Sequence, residues 1–130
     1  MIERVVIDSN VLIAIDRGDR EAWQRLKRLV ERAGVPVVPT VVLAQSWRGH
    51  QNARMAQALS LCQVRALDEN TARRAGTLCA RAGTSDVVDA AVVVTASTEH
   101  AVVWSDDPDL AHLANLLPPE AASVEVSTLA

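Results

Sequence analysis

The chain has 130 residues, which suits one domain with a buried core. Hydrophobic residues make up 49% of it, which excludes a disordered or fibrous protein, and no apolar run reaches the ~18 residues that a membrane span needs. A net charge of −3 and a pI near 5.5 do not indicate a strongly basic nucleic-acid binder.

The N-terminus and the cysteines favour a cytoplasmic protein. Met1-Ile2-Glu3-Arg4 leads directly into a strand-like run and lacks the basic start and long apolar stretch of a signal peptide. Cys62 and Cys79 form no Cys-x-x-Cys pattern, and two cysteines make neither a zinc site nor a disulfide framework. We expect both to be reduced core residues.

The predicted elements alternate between strands and helices from the start of the chain. Val5-Val6-Ile7 is a β-branched run typical of a buried strand, and Asp8-Ser9-Asn10 then offers helix-capping residues. Residues 20–33 give the clearest helix, with apolar residues at three- and four-residue steps and Gly34 at the C′ position. The prolines in the strand 35–39 indicate either the ends of that strand or a strand at the edge of the sheet.

The complete order predicts an α/β fold. The predicted strands are 5–7, 35–39, 64–67, 101–104 and 124–126, and the predicted helices are 11–15, 20–33, 40–47, 51–61, 69–82, 86–98 and 108–115. Such alternation indicates a three-layer α/β/α sandwich with a mostly parallel sheet of four to five strands, formed by residues 1–130 as a single domain.

Charge is unevenly distributed along the chain. All 13 basic residues lie in 1–81 with eight acidic ones, whereas 82–130 carries eight acidic residues and no Lys or Arg. The split indicates either a basic surface beside an acidic site or simply helix faces of different charge.

Acidic side chains follow or adjoin the predicted strand ends. In an open α/β sheet, ligands bind outside the carboxyl ends of the strands. Asp8 follows the first strand, and Ser105 and Asp106 follow the fourth. Asp86 and Asp89 begin the preceding helix, and their i, i+3 spacing places them on one face.

Carboxylates gathered in this way predict a divalent metal. Mg²⁺ or Mn²⁺ prefers oxygen ligands and would relieve the repulsion among the acids. Each acid also has a simpler interpretation: Asp8 and Asp86 as helix caps, Asp89 at N3 where it complements the helix dipole, and Asp109 as a first-turn acid that either complements the dipole or supports the site.

Three segments together resemble the PIN-domain proteins, which are small α/β nucleases. They are Val6-Ile7-Asp8-Ser9-Asn10, the run from Asp89 to Ala96, and Trp104-Ser105-Asp106 with the following Pro108-Asp109-Leu110. Their order, their spacing and the chain length are similar to those of the compact VapC-type toxins of bacterial toxin–antitoxin pairs.

The resemblance implies a Mg²⁺- or Mn²⁺-dependent endoribonuclease that is controlled by a small antitoxin and forms a homodimer. Carried over by position, the catalytic and metal-binding acids are Asp8, Asp89 and Asp106. Gln45 stands where the family has its fourth acid, a Glu after the second strand, and we expect Gln45 and Asp86 to be auxiliary metal ligands. Trp104 replaces the usual threonine, and Ser105 is expected to supply the missing hydroxyl.

Candidate RNA contacts come from arginines near helix ends. Such side chains reach phosphates, and the predicted contacts are Arg17, Arg20, Arg48 and Arg54.

Three other functional classes are alternatives to a metal-dependent endoribonuclease. A non-catalytic RNA- or protein-binding module on the same fold stays open because of Gln45. A phosphorelay receiver domain is disfavoured because it needs adjacent acids after the first strand and a late lysine, whereas the only lysine is Lys27. A dinucleotide-binding domain is disfavoured because no Gly-x-Gly-x-x-Gly follows a strand.

Overall fold

A computed structural model describes residues 2–128 and shows a five-stranded, all-parallel sheet in the order β3-β2-β1-β4-β5. The strands are β1 (Arg4–Ile7), β2 (Val35–Pro39), β3 (Gln63–Arg65), β4 (Val102–Trp104) and β5 (Val126–Ser127). The helices are α1 (Ser9–Asp16), α2 (Arg20–Glu31), α3 (Thr40–Ser46), α4 (Ala53–Leu59), α5 (Glu69–Ala82), α6 (Val87–Glu99) and α7 (Pro108–Asn115). The predicted fold class is confirmed.

The sheet is covered on both faces. Val5, Val6 and Ile7 are all fully buried although successive residues of a strand point to opposite faces. On one face α6 packs against β1, β2 and β4, while Arg25 of α2 lies over the Trp104 ring on the other. The centre of the sheet, β1 between β2 and β4, is therefore the most enclosed part of the molecule.

Two strand predictions need correction. Strand β2 lies inside the sheet between β3 and β1, so the edge interpretation of its prolines is wrong. Pro39 ends the strand, as the alternative interpretation required. Strand β3 ends at Arg65 rather than at Leu67, because the chain turns away there and the Leu67 backbone N–H donates to Thr40 Oγ1 instead.

Helix α2 ends in a left-handed turn one residue earlier than predicted. Ala33, not Gly34, has the positive φ of 63°. The Gly34 N–H donates to Leu29 O and the Ala33 N–H donates to Val30 O, the pattern of a Schellman motif. Gly34 is needed for a different reason, because a Cβ there would overlap the Leu29 side chain.

Helix α5 ends as predicted, at Gly83 in the left-handed conformation. Cys62 and Cys79 are free thiols, and burial raises the pKa of the Cys62 thiol to about 12. Within residues 2–128, every helix is too short or too polar to cross a membrane.

Ala33→Gly should stabilise the protein, because alanine is strained at positive φ and glycine is not. We expect the free energy of unfolding to rise by about 0.5–1 kcal/mol in urea denaturation. The control is Ala72→Gly, at an exposed position of α5, which should lower stability by about 1 kcal/mol. Destabilisation by both substitutions would contradict the left-handed turn at Ala33.

Candidate metal centre

Three aspartates that cap helices lie at the carboxyl edge of the sheet. The Asp8 carboxylate accepts from Ser9 N at the start of α1, Asp86 accepts from Asp89 N at the start of α6, and Asp107 accepts from Asp109 N at the start of α7. The partial positive charge of a helix N-terminus favours an acid there. Capping therefore holds each carboxylate in a fixed place.

Three donors hold the Asp8 carboxylate, two from the start of α1 and one from the residue after β4. Its Oδ1 accepts from Ser9 N at 2.8 Å. Its Oδ2 accepts from Ser105 Oγ at 2.7 Å and from Asn10 Nδ2 at 3.3 Å. Asn10 Nδ2 also lies 3.0 Å from Ser105 Oγ, so the three side chains form a closed triangle.

The same two polar side chains fix the loop after β4. Asn10 Oδ1 accepts from Asp106 N at 3.3 Å, and Ser105 Oγ accepts from Asp107 N at 3.0 Å. Ser105 is fully buried. This network ties the ends of two neighbouring strands together and sets the position of Asp107 relative to Asp8.

Asp89 is the centre of the acidic cluster. It is only 6% exposed, and one carboxylate oxygen each from Asp89, Asp107 and Asp109 lie within 4.8 Å of one another. A cleft of about 170 Å³ opens beside it, lined among others by Asp86, Asp89, Asp109 and His112. Three carboxylates at this separation are the hard oxygen donors that Mg²⁺ and Mn²⁺ bind.

The pKa values of Asp89 and Asp8 are raised by burial and by neighbouring acids. Burial, a hydrogen bond with the Asp86 carboxyl and the charge on Asp86 raise the pKa of Asp89 to about 7. The charges of Asp8 and Asp107 add to this rise. Burial also raises the pKa of Asp8, although its bonds from Ser105 and Ser9 oppose the increase. A cation in the cleft would remove the repulsion that these shifts record.

Comparison with known families assigns the fold. The PIN domain family matches residues 5–116. The chain belongs to the PIN-domain family. The PIN resemblance expected from the sequence is thereby confirmed.

Solved structures agree with the PIN assignment. VapC-containing VapBC2 from Rickettsia felis, bound to a promoter DNA fragment, aligns with TM-score 0.71 at 15% identity over 96% of this chain and 98% of that one. A toxin–antitoxin complex from Klebsiella pneumoniae aligns with TM-score 0.64 at 23% identity over 79% of this chain and 86% of that one. VapC20 of Mycobacterium tuberculosis, a sarcin–ricin loop cleaving toxin, aligns with TM-score 0.66 at 19% identity over 83% of this chain and 93% of that one. Comparison with curated proteins finds no match.

The PIN domain brings only part of the predicted acid set together. Asp8, Asp86 and Asp89 interact electrostatically, as their shared strand edge requires. Asp109 joins the cluster with Asp89. Asp106 is exposed, and within residues 2–128 the cluster of three oxygens contains Asp107 rather than Asp106. The metal-binding role of Asp106 stays a prediction.

The two departures from the family pattern also have structural positions. Gln45 lies exposed on α3, which starts at the carboxyl end of β2 and therefore at the same edge of the sheet as the acids. The centroid of the Trp104 ring lies 5.0 Å from the guanidinium carbon of Arg25, a residue of α2. Ser105 supplies a hydroxyl to Asp8 as expected from its position.

None of the four predicted RNA-contacting arginines is among the described residues that line the acidic cleft, and their contact with RNA stays a prediction. Arg48 Nη1 donates to the carbonyls of Ala44 and Trp47 at the end of α3. Arg20 and Arg54 line a separate cleft of about 210 Å³ near the end of α1. Arg17 is exposed at that same end, about 12 Å along α1 from its start at Asp8.

Sequence reasoning missed three residues of the PIN site. Asp107 was assigned only a capping role, which it has, yet its carboxylate also belongs to the cluster. Asn10 was considered only as a helix-start residue, and nothing local signals its bond to Ser105, 95 residues away. His112 lines the cleft, and its i, i+3 spacing from Asp109 was the available signal.

Asp89→Asn should make the metal-free protein more stable at alkaline pH. The folded protein keeps the Asp89 proton up to a pKa of about 7, whereas the unfolded chain releases it near 3.8, so stability from this group falls as pH rises between these values. We expect the variant to gain about 2 kcal/mol at pH 8 and almost nothing at pH 4.

Chemical denaturation at the two pH values, with EDTA present, measures this difference. Glu31→Gln, an exposed acid of α2, is the control and should change stability equally at both. A pH-independent effect of Asp89→Asn would show that the carboxylate is not crowded in the folded protein.

Proposed function

We propose that the protein is a metal-dependent endoribonuclease that hydrolyses RNA phosphodiester bonds as the toxin of a toxin–antitoxin pair in the cytoplasm. The observation that carries this proposal is the buried Asp89 carboxylate, with oxygens of Asp107 and Asp109 within 4.8 Å. A cluster of like charges with no nearby Lys or Arg in residues 82–130 is costly unless a cation occupies it.

The donor set fits Mg²⁺ or Mn²⁺. Asp89 and Asp107 would hold the ion, with Asp8 on the β1 side and Asp86 and Asp109 as further acids at the cleft. Gln45 offers a neutral oxygen where the family pattern has a carboxylate, so the ion would be held with one charge fewer. A bound divalent ion supplies Lewis-acid activation of water and of the phosphate.

The side chains around the cleft hold the acids in a reactive arrangement. Ser105 and Asn10 donate to Asp8 Oδ2 and so fix which of its lone pairs stay available. Asp86 is hydrogen-bonded to Asp89, and it caps the helix on which Asp89 sits. A phosphodiester that approaches this edge would therefore meet preorganised carboxylates on rigid helix starts.

The partners are proposed from the structural neighbours. Those from Rickettsia felis and Salmonella typhimurium are VapBC complexes bound to DNA. We propose a small antitoxin that covers the acidic cleft. We also propose a homodimer, because exposed apolar side chains concentrate around α3 and the edge strand β3, namely Trp47, Leu61, Val64 and Leu67.

Purified protein, free of antitoxin, should cut RNA in Mg²⁺ or Mn²⁺ and lose this activity with EDTA. Asp89→Asn should reduce the cleavage rate by about 100-fold or more, because it removes a carboxylate from the metal centre. Time courses on labelled RNA followed by gel electrophoresis measure the rate. Glu31→Gln, far along α2 from the cleft, should cleave normally.

Failure to cut RNA with either metal would refute the nuclease proposal. If expression of an Asp8→Ala variant still arrests growth as the parent does, the protein acts instead as a non-catalytic binding module on the PIN fold. Gln45 is the feature that favours this second function.

The loop after β4 can be tested one aspartate at a time. Asp107→Asn should weaken Mn²⁺ binding about tenfold or more, since the charge it removes lies in the oxygen cluster. Asp106→Asn should change it by about twofold or less, because that residue is exposed and its charge is screened. Calorimetric titration of the metal-free proteins measures the Mn²⁺ dissociation constant of each variant. If Asp106→Asn weakened Mn²⁺ binding more than Asp107→Asn, Asp106 would be the ligand.

A further inference from the structure

A groove of about 580 Å³ runs along α5, next to the acidic cleft. Arg73, Arg74 and Arg81 line it together with Thr77. The remaining lining comes from α5, α6 and the segment after α7, and it includes one acid, Glu120, among apolar side chains of which Leu78, Val94, Leu117 and Pro118 are the larger. None of these residues is used by the metal centre.

The groove and the acidic cleft are lined by consecutive residues of α5, Arg81 in the groove and Ala82 in the cleft. Arg74 and Arg81 are seven residues apart, so they share a face of α5 and are separated by about 10.5 Å along its axis. Ala82, the residue after Arg81, lines the acidic cleft. A ligand that leaves the cleft along α5 would therefore pass Arg81 first and Arg74 next.

Charge explains why an anionic ligand needs this helix. The acids lie in or beside α6 and α7, and no Lys or Arg occurs in 82–130 to offset their repulsion of a phosphodiester chain. Helix α5 packs along α6 and carries the three arginines that line the groove. The uneven distribution of charge along the sequence therefore places a groove lined by arginines beside the acidic cleft.

The arginines can reach a ligand at little cost. Arg81 is exposed. The Arg73 ion pair with Glu69 is fully on the surface, with both side chains nearly 80% exposed, and such pairs are easily exchanged. Arg74 Nη1 donates to Thr98 Oγ1, which holds the guanidinium at the groove and leaves its other N–H groups to bind phosphate.

We infer that the groove along α5 binds single-stranded RNA on one side of the bond that is cut. Arg81 and Arg74 contact successive phosphates, and the apolar floor receives bases or riboses. This inference rests on the proposed nuclease function and names where its substrate lies. RNA fits better than a protein segment because the groove is next to the acidic cleft on α5 and is lined by three arginines against one glutamate, which favours a phosphate backbone.

The test compares two double variants in the Asp89→Asn background, which binds RNA without cutting it. One is Arg74→Gln with Arg81→Gln. The matched control is Lys27→Gln with Arg28→Gln, which removes the same charge from exposed positions of α2. Fluorescence anisotropy of a labelled 12-nucleotide single-stranded RNA, over a series of salt concentrations, gives Kd and its salt dependence.

Loss of two phosphate contacts should lower the slope of log K against log salt by about 1.4, since each contact on a single strand contributes about 0.7. The control should keep the parent's slope. Circular dichroism should show that both double variants remain folded, as expected for exposed substitutions.

The outcomes separate this inference from the proposed function. If the parent with Asp89 intact cuts RNA but the groove variant keeps its slope, or loses no more than the control, the inference is wrong and the nuclease stands. If the parent neither binds nor cuts RNA, both fail. If RNA binding is unchanged while the complex with the co-encoded antitoxin is lost, the groove docks protein and the inference is overturned.

Discussion

The repulsion among carboxylates at one edge of the sheet is the constraint on which the site depends. Parallel strands bring their carboxyl ends to a common edge, and a helix that directly follows a strand begins there. Asp8 and Asp107 each cap such a helix. Asp86 caps α6, which leads into the start of β4 and therefore also begins at the carboxyl edge, and Asp89 lies in the first turn of α6. The fold thus gathers negative charge by the same geometry that starts its helices.

Capping and metal binding are therefore compatible functions of one residue. A cap needs one carboxylate oxygen to accept a backbone N–H, which leaves the other oxygen for a cation. Asp107 illustrates this, because its Oδ1 accepts from Asp109 N while the residue also contributes an oxygen to the cluster. In this fold, an aspartate that caps a helix still has an oxygen that can bind a cation.

The crowding also has an energetic consequence. Burial and neighbouring acids raise the pKa of Asp89 to about 7, so the metal-free protein near neutral pH holds a partly protonated, destabilised centre. A ligand that binds only the folded state recovers that stability by mass action. Functional sites commonly keep such local destabilisation, because the surrounding fold over-determines their geometry.

The sequence allowed the fold and the strand-end acids to be predicted, because both follow from local patterns. The β-branched run before Asp8 and the apolar run after Asp89 are continuous apolar segments typical of buried elements, so the places of these two acids at the sheet edge could be inferred. The presence of Asp107 in the cluster of three oxygens could not be predicted. It depends on a one-residue register in a loop, which Ser105 and Asn10 set through bonds spanning more than 90 residues.

The contacts of the arginines could not be predicted from local sequence either. The guanidinium groups of Arg48 and Arg54 donate to backbone carbonyls of this chain, and their contact with RNA stays a prediction. In the sequence, Arg74 and Arg81 are typical of the solvated face of an amphipathic helix. Only the packing of α5 against α6 brings them to one groove.

A crystal structure of the protein soaked in Mn²⁺, with anomalous diffraction data, tests the gathered-acid site most directly. We expect an anomalous peak at the carboxyl edge of the sheet, coordinated by Asp89 and Asp107 and close to Asp8. Full occupancy of manganese elsewhere on the molecule, with the carboxylates of residues 8, 89 and 107 bonded only to protein and water, would contradict the site proposed for this PIN domain.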